Sequence, residues 1–151
     1  MRRARGVALL FLAAAGTLLL IVATGLVWAG IAIPDLVRAQ IPDAAAVDTA
    51  QVGGAMVALG GLAGAFGGVH LLLIPGVRQQ HPTFLVAGIT LAVMLAVLAL
   101  ASSCGALVAL ASASGSAQTM LPAALGLAMV ALGYGWLGVL LVRLRREPPA
   151  I

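Results

Sequence analysis

His70 is the one imidazole placed inside a long apolar run, so it is the first residue to weigh for chemistry. A membrane histidine can ligate a haem, a pigment or a metal ion. Gly67 lies three residues before it and leaves room for a flat ring system. A bis-histidine haem needs a second embedded imidazole, and the other histidine, His81, sits beside Pro82 in a polar connection. The favoured reading of His70 is therefore structural, with cofactor binding as its rival. No cofactor and no metal site is expected.

Ser102, Ser103 and Cys104 form a polar patch in an otherwise apolar stretch, with Thr90 further back along it. Hydroxyls in membrane helices usually bond back to their own helix or across to a neighbour. No base and orienting group accompany them as a nucleophile would require, so no catalytic residue is assigned. Cys104 is the sole cysteine, which excludes an intrachain disulfide and a multi-cysteine metal site. Phosphate-loop, dinucleotide-binding and zincin signatures are all absent from the sequence.

The most informative feature is negative. No Asp, Glu, Lys or Arg falls inside any of the long apolar runs. Proton relays, ion-coupled transporters and drug antiporters carry ionisable groups at membrane depth. That absence argues against a small multidrug exporter and a proton-driven rotor ring.

The elements that hold these residues follow from composition. The chain is 63% hydrophobic and 8% charged, with a mean hydropathy of +1.19. Soluble domains carry about 25% charged residues. Crossing ~30 Å of hydrocarbon takes ~20 helical residues, so the 151 residues suit several spans. The fold class expected is an all-α membrane protein, a four-transmembrane-helix bundle in a single membrane domain. The spans are read at about 7–33, 48–74, 83–111 and 121–142, joined by loops at 34–47, 75–82 and 112–120.

Each boundary has a stated cause. The basic start Met1-Arg2-Arg3-Ala4-Arg5 resembles a secretory signal, but the apolar core after it is far longer than a signal's ~7–15 residues, which favours a retained helix. Pro34 is expected to end the first span, and Pro75-Gly76 the second. Between Arg78 and Arg143 no charged residue appears, and that stretch is too long for one helix, so the chain turns back within it. The run from Ser112 to Thr119, rich in Ser and Gly, is the best break. A second break at Ser102-Ser103-Cys104-Gly105 would make five spans.

Charge chooses between four and five. All eight basic residues are arginines. With four spans, Arg2, Arg3, Arg5, Arg78, Arg143, Arg145 and Arg146 share one side and Arg38 lies alone on the other. Basic residues collect on the cytoplasmic side, so both termini are expected there. The absence of lysine and the wealth of Ala, Gly, Val and Leu resemble a bacterial protein from a high-GC genome, which points to a bacterial plasma (inner) membrane. The arginines sit at the edges of apolar runs, not on a groove-reading face, so nucleic acid is not an expected partner.

The second span carries Gly60-xxx-Gly64-xxx-Gly68, a row on one helical face. Small residues let backbones approach where lipid removes the hydrophobic drive between helices. Gly25-xxx-Ala29, Ala92-xxx-Ala96, Ala99-xxx-Ser103 and Ala131-xxx-Gly135 are similar pairs elsewhere. The row serves either the chain's own packing or an interface with another copy or another membrane subunit. The favoured function is a non-catalytic accessory or assembly subunit, or a homo-oligomer, packing through this helix. A facilitator for a small neutral solute and a haem- or pigment-binding subunit using His70 are the alternatives.

Overall fold

A backbone in hydrocarbon must satisfy its own polar groups, and a charge-free run of membrane-spanning length does so as helix. The structure, a computed structural model, describes the backbone of residues 2–40, 49–112 and 117–146, and side chains within 4–32, 50–108 and 121–146. It contains α1 (Arg2–Gln40), α2 (Thr49–Arg78), α3 (Pro82–Ser112) and α4 (Ala117–Arg146). Each holds a segment long and apolar enough to cross a membrane: Ala4–Ala32, Ala50–Arg78, Pro82–Val108 and Leu121–Arg146. The fold class is all-α, with four helices of membrane-spanning length. Helix α3 runs unbroken through Ser102-Ser103-Cys104-Gly105, so this site does not divide it into two spans. The acidic cluster at Asp43 and Asp48 and the middle of the Ser-rich break lie outside the described residues.

Pro34 and Pro75 were expected to end helices, and they do not. Helix α1 continues through Pro34 to Gln40, α2 through Pro75 to Arg78, and α4 starts at Ala117 ahead of Pro122. A proline inside a helix costs about 3 kcal/mol for one lost bond and a steric clash. At Pro75, inside the membrane-length segment Ala50–Arg78, unwinding would strand several backbone groups instead, each costly to leave unpaired in an apolar setting. Continuation is the cheaper course.

The chain divides into two compact units, residues 10–74 and residues 1–9 with 75–151. In the first unit α1 and α2 form an antiparallel pair that meets through glycine. A Cβ placed on Gly30 would lie 2.6 Å from the Gly53 carbonyl oxygen, and one on Gly60 would lie 2.9 Å from that of Ala23. A Cβ on Gly67 would lie 3.0 Å from the Gly16 oxygen. The contacts advance by seven residues on each helix, Gly16, Ala23 and Gly30 against Gly67, Gly60 and Gly53. Seven is the period at which one helical face stays against its partner along a coiled pair.

In the second unit α3 and α4 pack along a seam of alanine and leucine. Leu85, Ala92, Ala99 and Ser103 of α3 are buried, as are Ala124, Ala131, Leu137, Leu141 and Leu144 of α4. The seven-residue period recurs, but the contact is between side chains. A Cβ on Gly138 would stand 3.7 Å from that of Ala92, an ordinary van der Waals distance.

The turn from α2 to α3 is built residue by residue. His81 N–H donates to the Gly76 carbonyl at 2.9 Å and Gln80 N–H to that of Val77 at 3.2 Å. These are the two crossed bonds of a Schellman cap. Gln80 occupies the left-handed position at φ 54°, where glycine is usual. The His81 carbonyl accepts from Leu85 N–H at 3.1 Å, making His81 the residue that caps α3 and Pro82 its first helical residue. Phe84 covers Gly76, where any Cβ would strike its ring. The His81 and Phe84 rings meet edge to face at 5.7 Å. Arg5 reaches the last carbonyl of α2, with Nη1 donating to Arg78 O at 3.4 Å. A cation suits the negative end of a helix.

Candidate functional site

His70 lies on the α1–α2 seam and is fully buried. Its position follows from glycine: the Cβ of His70 lies 3.1 Å from where a Cβ of Gly16 would be. Nδ1 stands 2.7 Å from the carbonyl oxygen of Phe66, one turn back on the same helix. A carbonyl only accepts, so Nδ1 carries the proton and donates. Among the described residues no buried side-chain nitrogen or oxygen lacks a hydrogen-bond partner. The space beside Gly67 that a flat cofactor would need is occupied by α1. A Cβ on Gly67 would meet Gly16, Leu20 and Leu19 within 3.2 Å. The arrangement is that of a polar group satisfied within a packed seam.

The polar patch divides. Ser103 is buried, and its hydroxyl donates to the Ala124 carbonyl of α4 at 2.8 Å. Ser102 and Cys104, one residue away on either side, turn outward and are exposed. The three therefore do not share a surface. Thr90 is exposed as well. Thr24, a residue that sequence reasoning did not single out, is exposed on α1 and donates to the Leu20 carbonyl at 2.9 Å, meeting its need within its own helix.

The aromatic residues separate by face. Tyr134 is buried, whereas Trp136 is 54% exposed. Two residues are about 200° apart on a helix, so both cannot face one seam. Trp28 is 68% exposed.

The Gly60, Gly64 and Gly68 row also divides. Gly60 touches α1, Gly64 faces the Ala23 Cβ at 3.5 Å, and Gly68 has nothing within 4 Å of its Cβ position. The face that meets α1 is Gly53, Gly60 and Gly67. A second row, Gly54, Gly61 and Gly68, lies about 100° round the helix, and each of its three Cβ positions is open. Ala58 and Ala65 lie between these glycines and are exposed. The order Gly54, Ala58, Gly61, Ala65, Gly68 steps by four and three, the spacing of a helix-contact stripe. Helix α2 thus has one small-residue face covered by α1 and another uncovered. The spacing of seven was the signal for both, hidden by the glycines that also fall four apart.

Compared with protein-family models, with curated proteins and with solved structures, the chain finds no match.

Proposed function

We propose that the protein is a non-catalytic membrane assembly subunit that pairs, with a second copy of itself or with another membrane subunit, through the open Gly54–Gly61–Gly68 face of α2. The observation that carries this reading is the pair of glycine rows on one helix. The first row demonstrates what such a face does in this chain, which is to seat another backbone. The second has the same residue type and the same period, with no atom within 4 Å of any of the three positions. In lipid, a smooth face of this kind supplies packing energy when another helix lies on it. In this reading His70 and Ser103 hold helices together and perform no chemistry.

The membrane is proposed to be a bacterial plasma membrane, with both termini cytoplasmic. The seven arginines on one side against Arg38 on the other support that orientation. Reporter fusions at Ala150 and in the Arg78 turn should read cytoplasmic, and fusions at Asp43 and Gly115 external. The pairing is tested by Gly61→Leu. The variant should fold with wild-type thermal stability and lose association, read as oligomeric mass in detergent and as energy transfer between labelled chains in bilayers. Wild-type association that survives Gly61→Leu would overturn the reading.

A further inference from the structure

We propose that the arginine-rich end of the unit formed by residues 1–9 and 75–151 binds the phosphodiester headgroups of anionic lipids in the adjoining leaflet. The inference is independent of the α2 pairing. It begins from where the arginines stand relative to the core. Arg78 follows Val77, and Arg143 and Arg145 flank Leu144. Arg5 precedes Ala8 by one turn. Ala8, Val77 and Leu144, in the same compact unit, are 0%, 0% and 1% exposed, so these arginines adjoin buried core positions in the sequence. Arg78, Arg143, Arg145 and Arg146 are exposed, and Arg5 is half-buried against the Arg78 carbonyl.

Among the described residues no carboxylate stands at this end. In the sequence, Asp35, Asp43 and Asp48 follow the first membrane-length segment, and Glu147 follows Arg146. Guanidinium presents a planar fork of donors that matches two phosphate oxygens at once, which ammonium cannot do. The membrane-length segments Ala50–Arg78 and Leu121–Arg146 end on these arginines, which sets them at the edge of the hydrocarbon. A lipid phosphate sits at that same level. Free phosphate lacks the acyl chains that would hold it beside these helices, so the headgroup of a membrane lipid is the ligand the geometry fits.

The test uses the full chain in detergent, titrated with phosphatidylglycerol, phosphatidylcholine or inorganic phosphate, with thermal unfolding and retained lipid by native mass spectrometry as readouts. Phosphatidylglycerol should be retained and raise the Tm, and the other two should do neither. Each cytoplasmic arginine removed should weaken retention about fivefold, so the double variant Arg145→Gln, Arg146→Gln should lose about 25-fold. The double variant Arg145→Lys, Arg146→Lys keeps the charge and should still bind less well than wild type. Both residues are exposed at the end of α4, so unchanged Tm without lipid certifies the fold. Equal effects of the two lipids, the same effect from inorganic phosphate, or full retention by either variant would overturn the proposal.

Discussion

The α1–α2 pair and the α3–α4 pair solve the same problem with different atoms. Both are antiparallel, both repeat their contacts every seven residues, and neither can rely on water to press its helices together. In the first, glycines bring carbonyl oxygens of one helix to within 2.6–3.1 Å of where a Cβ of the other would be. In the second, alanine methyls fill the gap, and Ser103 adds a hydrogen bond across it. The glycine seam is therefore intolerant of any added atom and the alanine seam is not. Backbone contact forgoes side-chain adaptability, because a carbonyl cannot move aside as a rotamer can.

The largest effect expected from that difference is Gly30→Ala. Its methyl would meet the Gly53 carbonyl at 2.6 Å, and overpacking of this kind should destabilise by about 3 kcal/mol. The matching substitution in the other pair, Gly138→Ala, meets only Ala92 at 3.7 Å. Better helix propensity should then make it neutral or stabilising by up to about 1 kcal/mol. Reversible unfolding in mixed detergent measures both. Equal costs at the two sites would dissolve the distinction between the seams.

Ser103→Ala sharpens the comparison from the other side. It removes the interhelical bond to Ala124 and should cost about 1 kcal/mol, the scale of such bonds in membranes. Ser102→Ala, on the exposed face, should cost nothing measurable by the same unfolding assay. A larger loss at Ser102 than at Ser103 would mean that the face assignment is reversed.

The smallest effect concerns the turn that belongs to the α3–α4 unit. Gln80 carries a side chain in the left-handed region, so Gln80→Gly should stabilise by about 0.5–1 kcal/mol. Destabilisation in the same assay would show that the Gln80 side chain contributes more than its backbone conformation costs.

Much of the fold was legible because lipid simplifies the code. Charge-free runs of the right length, bounded by arginines, suffice to read four helices of membrane length. The ends were read less well. Pro34 and Pro75 are terminators by the rules of water, where a freed carbonyl finds a solvent partner. Both are helical, and for Pro75, inside the membrane-length segment Ala50–Arg78, an apolar solvent shifts the balance. The outward turn of Ser102 and the inward turn of Ser103 depend on where α4 lies, which no local pattern states. The glycines of α2 were ambiguous for a related reason. Positions 53, 54, 60, 61, 64, 67 and 68 satisfy a period of four and a period of seven together. Only the partner helix, through Gly16, Ala23 and Gly30, selects among them.

Gly60 and Gly61 are adjacent in sequence and face different directions, which makes them the most direct test that α2 has two distinct glycine faces. Leucine is placed at each position in turn, and thermal stability and oligomeric mass are measured on the same samples. Gly60→Leu should destabilise the fold, because its side chain enters the backbone of α1 at Ala23 and Val27. Gly61→Leu should leave the melting temperature at the wild-type value and abolish association. Matching behaviour of the two variants, whether both fold and associate normally or both lose stability, would contradict the two-face account.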